Sequence, residues 1–154
     1  MKLSTKGRYA VMAMVELAQR SGGQPVALAD IAESQGISLS YLEQLFAKLR
    51  RGGVVKSMRG PGGGYTLSKA AERIRIADVV LAVDEPAKSA SCSPISPDGC
   101  CSNQAQCSTH DLWEALGNQI YGFLNSVTIA DVCARRISGT GQPVWSSDHR
   151  SATA

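Results

Sequence analysis

Between residues 28 and 67 the apolar pattern changes period around glycines, and few folds accommodate the order in which it does so. Leu28, Ile31 and Ala32 recur at helical spacing over 28–35, and Gly36 then supplies a tight turn. Leu39, Leu42, Leu45, Phe46 and Leu49 repeat at three and four over 39–51, which predicts a second helix that Gly52-Gly53 stops. Val54-Val55-Lys56-Ser57 and Tyr65-Thr66-Leu67 read as short strands. Between them lies Met58-Arg59-Gly60-Pro61-Gly62-Gly63-Gly64, a tip almost without bulky side chains. Two helices meeting at a glycine, followed by a hairpin with a basic, glycine-rich tip, predict a mainly α winged helix-turn-helix.

The flanks extend this plan. A first helix is expected from about Thr5 to Arg20, with Val11, Met14, Leu17 and Ala18 as its stripe, Ser4 or Thr5 as its cap and Ser21-Gly22-Gly23 as its end. Ile76, Val79, Val80 and Val83 mark a fourth helix, closed by Glu85-Pro86. Residues 87–108 are rich in Ser, Pro, Gly, Asn and Gln and have no apolar period, so a long loop is expected there. A long helix over 111–126 follows, with Leu112, Leu116, Ile120, Phe123 and Leu124 on one face and Trp113 beside them. That stripe packs either on the first helix of its own chain or on a second subunit, the reading preferred here because two-fold dimers dominate among oligomers. A short helix over 129–135 and a polar tail without fixed structure complete the expected organisation. The divisions are a DNA-binding unit over 1–84, a cysteine loop over 85–110, a dimerisation region over 111–136 and a tail over 137–154.

The chain of 154 residues is 44% hydrophobic and 19% charged, enough to bury one core. It holds no run of about 20 apolar residues, so no membrane-spanning helix is expected. Its start, Met1 to Arg8, lacks the pattern of a secretory signal, so a cytoplasmic location is expected. Charge is divided unevenly. Residues 1–75 carry twelve Lys and Arg against five Asp and Glu, whereas residues 76–154 carry four against eight. The first part therefore suits a polyanion, and double-stranded DNA is the expected partner.

In a helix-turn-helix the start of the second helix meets base edges. Here that start offers Ser40, Tyr41, Glu43 and Gln44. Gln44 can pair two-fold with adenine, Ser40 can donate or accept, and Glu43 can accept only from cytosine N4. Ser40-x-x-Glu43 also fits a capping box that serves the helix alone, and Tyr41 also fits simple packing. Arg59 at the wing tip suits a narrow A·T-rich minor groove, with a solvated arginine as the alternative. Lys2, Lys6, Arg8, Lys48, Arg50, Arg51 and Lys56 are phosphate contacts or solvated charges.

Five cysteines, four of them between 92 and 107, favour metal or redox chemistry over structural disulfides. Cys92, Cys101, Cys107 and His110 are the candidate ligands. Cys100 adjoins Cys101, and one of the two is a spectator. Cys133 reads as a core thiol, and His149 has no partner at a useful spacing. Three thiolates and an imidazole suit structural zinc or an iron–sulfur cluster, and a thiol switch is a third possibility. A small redox enzyme using the same cysteines is the rival from another class. Against an enzyme, no nucleotide-binding glycine fingerprint and no nucleophile–base pair stand outside the cysteine loop, so a non-enzymatic role is expected.

Three stretches carry a specific resemblance: Leu3 to Ala10, Ile37 to Phe46 and Arg59 to Tyr65. Over residues 1 to about 132 the chain resembles the iron–sulfur cluster regulators of the winged-helix repressor family. The resemblance implies a homodimeric transcription factor with a [2Fe–2S] cluster held by Cys92, Cys101, Cys107 and His110, loaded by the iron–sulfur assembly machinery. It also implies repression of cluster-assembly genes. Eight residues separate Cys92 from Cys101, more than is usual in the family, so the loop holds a small insertion. Relatives that sense nitric oxide or global iron also use three cysteines. The ending Cys107-x-x-His110 resembles the cluster-supply sensor instead.

Overall fold

The computed structural model describes residues 4–83 and 110–137. Six helices and one hairpin follow in the order α1 (Thr5–Ser21), α2 (Leu28–Gln35), α3 (Leu39–Arg51), β1 (Val55–Met58), β2 (Gly64–Leu67), α4 (Ile76–Val83), α5 (His110–Ser126) and α6 (Ile129–Cys133). A single 3-10 turn, Ala71–Arg73, leads into α4 and has no periodic signal in the sequence.

Local chemistry sets the helix ends. Ser4 caps α1 by accepting from the Gly7 amide at 3.0 Å, and Gly22 ends it in the left-handed region at φ 42°. Gly36 ends α2 in the same way at φ 63°, a conformation that disfavours a Cβ. α1 buries Ala10, Ala13, Met14 and Leu17, whereas Val11 and Ala18 of the expected stripe are half-buried at its edges. α2 buries Leu28, Ile31 and Ala32, and α4 buries Ile76, Val79, Val80 and Val83. α3 buries Leu42, Leu45, Phe46 and Leu49. Leu39, expected in the same stripe, begins the helix and is exposed, because only the following turns reach the core. α4 lies at the centre, packed on α1, α3 and α5.

The hairpin pairs antiparallel, with Val55 opposite Leu67 and Met58 opposite Gly64. β2 is also held on its other edge. Val26 and Tyr65 exchange backbone hydrogen bonds of 2.9 and 2.8 Å, joining the wing to the segment that enters α2. A Cβ on Gly64 would collide with the backbone of Val26, so glycine is required for this approach.

The junction of α5 and α6 is fastened to the chain before α4. Ile76 donates to the Val127 carbonyl, and Ile129 to that of Ile74, each at 2.9 Å, while Val127 and Ile129 are buried. Thr128 and Asp131 form a reciprocal capping box at the start of α6. α5 rests on α4, not on α1 as one sequence reading allowed, because its C-terminal end is anchored beside residues 74–76. Its stripe stays open over much of its length within the chain, with Leu112 61% and Trp113 48% exposed. Among the described residues no helix is long and apolar enough to cross a membrane.

Candidate nucleic-acid interface

The reading face starts at the turn between α2 and α3. Ser38 is the N-cap of α3, its hydroxyl accepting from the Tyr41 amide at 3.4 Å. The capping box allowed for Ser40 and Glu43 is therefore absent. The cap lies two residues earlier, and Ser40, Glu43 and Gln44 are all exposed on the first turns of α3. Glu43 makes no hydrogen bond or ion pair among the described residues, so its carboxylate is available to a partner. Tyr41 is half-buried, its ring edge-on to Tyr9 at 6.0 Å, a contact that ties α3 to α1.

The wing is fixed relative to this helix. Phe46 of α3 and Tyr65 of β2 meet at 4.9 Å with their rings inclined by 70°. At the tip, Gly60 and Gly62 have φ of 104° and 71°, and Gly63 donates to the Gly60 carbonyl at 2.9 Å. These turns need glycine because a Cβ disfavours such angles. Arg59 projects there, exposed and without a hydrogen bond or ion pair among the described residues. α3 and the wing thus form one unit that presents the exposed side chains of Ser40, Glu43 and Gln44 together with a guanidinium.

The charge around this unit is strongly one-sided. From residue 37 to residue 69 there are six Lys and Arg and a single acid, Glu43. Lys6 and Arg8 are exposed at the start of α1, and Lys56 is exposed on β1. Arg50 donates to the Ser57 hydroxyl and Arg51 to the Ala47 carbonyl, each at 3.4 Å, yet both remain exposed. Lys69 and Arg73, absent from the expected set, add two exposed cations just past β2. They were visible as charges, but only the fold places them beside the base of the wing. Lys48 differs from the rest. It is half-buried and donates to the Val83 carbonyl at the end of α4, at 3.4 Å.

The ligand candidates Cys92, Cys101 and Cys107, together with Lys2, Cys100 and His149, lie outside the described residues. His110 is the first residue of α5. Among the described residues no group of His, Cys, Asp and Glu is arranged to hold a metal. Cys133 is half-buried, with its sulfur 3.9 Å from the Val15 carbonyl, and burial pushes its thiol pKa up. A packed, protonated thiol is a poor ligand.

Comparison with known proteins agrees with this geometry. The Rrf2 family, described as iron-dependent transcriptional regulators, matches residues 3–135. A helix-turn-helix-type transcriptional regulator of Azotobacter vinelandii is 53% identical over 135 residues, covering 88% of this chain and 80% of the relative. The transcriptional regulator IscR of Escherichia coli is 50% identical over 132 residues, covering 86% of this chain and 80% of its own. Among solved structures, IscR of T. potens superposes with a TM-score of 0.71 at 37% identity, over 92% of this chain and 93% of that one. CymR, titled the global cysteine regulator of B. subtilis, superposes at 0.72 with 33% identity, over 88% of this chain and 98% of its own. With a winged helix-turn-helix, a cationic reading face and this agreement over most of its length, the chain belongs to the Rrf2 family and is a DNA-binding transcriptional regulator.

Proposed function

We propose that the protein is a homodimeric, sequence-specific repressor that reports iron–sulfur status to transcription through a [2Fe–2S] cluster. The observation that carries the DNA-reading half is the joint exposure of Ser40, Glu43, Gln44 and Arg59 on one packed unit. Ser40 and Gln44 read base edges in the major groove, and Arg59 enters the adjacent minor groove. Glu43 rejects sites that lack a donor, since a carboxylate desolvated beside phosphates without one is costly. Lys6, Arg8, Arg50, Arg51 and Lys56, with Lys2 outside the described residues, contact phosphates and set salt dependence.

The sensing half rests on the donor set and on the family's description as iron-dependent. Cys92, Cys101, Cys107 and His110 supply four ligands of a kind that an iron–sulfur centre accepts. When bound, the cluster supplies a group whose assembly and loss follow iron and sulfide supply. His110 opens α5, and the segment bearing the cysteines joins the end of α4 to the start of α5. Holding these ligands together therefore constrains two helices that rest on each other. The iron–sulfur assembly machinery is the cluster donor, the cluster-assembly genes are the targets, and the cytoplasm is the setting.

The deciding experiment is purification without oxygen. The protein should be brown, with iron and acid-labile sulfide in equal amounts, and Cys107→Ala should remove the colour and change which operators are bound. A colourless, iron-free protein that regulates normally sinks the sensing half and points to zinc or thiol chemistry.

A further inference from the structure

Lys48 lies on the recognition helix, four residues after Gln44, yet its ammonium is turned away from the reading face. It donates to the carbonyl of Val83, the last described residue of α4. A lysine set against the C-terminal part of a helix complements the negative pole of its dipole. A second observation places the same two helices in close registry. A Cβ on Gly52, the C-cap of α3, would lie 2.6 Å from the Ala82 Cβ of α4. Gly52 has φ −74°, so glycine is needed there for the close approach and not for its backbone angles. Between the two points Leu49, Val80 and Val83 are buried.

We propose that Lys48 is a positioning residue, not a phosphate contact: it locks α3 to the end of α4 and thereby sets the angle at which Ser40, Glu43 and Gln44 meet DNA. Resting on the sensing role proposed above, the inference extends one step. α4 is the helix from which the cysteine-bearing segment departs and on which α5 rests. The Lys48–Val83 and Gly52–Ala82 seam is thus the joint through which the state of that segment reaches the reading face. A ligand shifts such an equilibrium only if the two arrangements of the joint differ in affinity for it.

The test uses the full-length protein and a duplex selected from a random library with the wild type, alongside the same duplex carrying one substituted base pair. Lys48→Met keeps the aliphatic stem and removes the donor. Circular dichroism and thermal unfolding verify the fold, and Gly52→Ala, which pushes the seam apart with Lys48 intact, is the second variant. Both variants should keep the wild-type dependence of affinity on salt while losing discrimination between the two duplexes by about three- to tenfold. Lys48→Arg, which can reach the same carbonyl, should restore discrimination. If Lys48→Met weakens binding uniformly and lowers the salt slope by about 0.9, Lys48 is a phosphate contact and the proposal is wrong. Unchanged slope with unchanged discrimination overturns it equally. The extension is read by comparing iron-loaded with iron-free protein: the wild type should change its duplex preference and Lys48→Met should change it less. A variant that switches as fully as the wild type overturns the extension. A wild type that binds no iron overturns the sensing role, while the salt and discrimination measurements still judge Lys48.

Discussion

Glu43 is the one acid among the cations of the reading face, and its surroundings give that charge its meaning. Had Ser40 capped α3, Glu43 could have been spent on the backbone. Because Ser38 is the cap, the Glu43 carboxylate is exposed and makes no bond among the described residues. Against a duplex it is repelled by phosphates and gains only where cytosine N4 offers a proton. Glu43→Ala should therefore bind more sequences, with affinity for non-cognate duplexes rising by about tenfold, in line with the 1–3 kcal/mol that separates right from wrong base pairs. Competition binding against a panel of duplexes reads this directly, and an unaltered ranking would remove Glu43 from the reading set. The alternatives of cap and base contact were both visible in the sequence. Removing the capping alternative needed the position of the helix start, which a two-residue shift decides.

Among the elements, the placement of α2 depends on a polar clamp that no local pattern announces. Glu16 of α1 accepts from Arg20 on its own helix and, at 2.9 Å each, from Ser34 and Gln35 in the last turn of α2. These donors, the Arg20 guanidinium first, hold the Glu16 carboxyl below its usual pKa despite its partial burial. A carboxylate with a depressed folded pKa contributes stability at neutral pH that is lost as the pH falls through the folded value. Glu16→Ala should cost about 1 kcal/mol at pH 7, chiefly through the two bonds to α2, since the pair with exposed Arg20 adds little. In urea melts the gap between wild type and variant should persist through the ordinary glutamate range and narrow only as the pH falls below it, where the folded wild-type carboxylate takes up its proton. A gap independent of pH would mean that Glu16 acts through packing alone.

For the molecule as a whole, α5 poses the largest question of surface. Anchored at its C-terminal end, it leaves Leu112, Trp113, Leu116, Tyr121 and Phe123 exposed in a single chain. Covering what remains exposed of each such side chain would contribute about 1 kcal/mol, and a second copy of the same helix would supply that cover and carry two reading units to successive turns of a duplex. Leu112→Glu with Leu116→Glu should convert a dimer to a monomer by light scattering and weaken operator binding by at least about a hundredfold. A wild type that is monomeric at micromolar concentration would count against the dimer.

Most of the elements could be read from local pattern, because each helix repeats its apolar residues at a period that burial on one face requires, and glycines mark where the chain must turn. The stripes of α2 and α4, the Gly36 turn and the glycine tip of the wing all follow from neighbours within a few residues. The pairings of Val26 with Tyr65, Arg75 with Thr128, and Lys48 with Val83 do not, for they join residues distant in the chain. A lysine in a list of cations looks like every other. Packing of α3 on α4 brought this one against the Val83 carbonyl, while Glu43 on α3 and Arg59 at the wing tip face solvent.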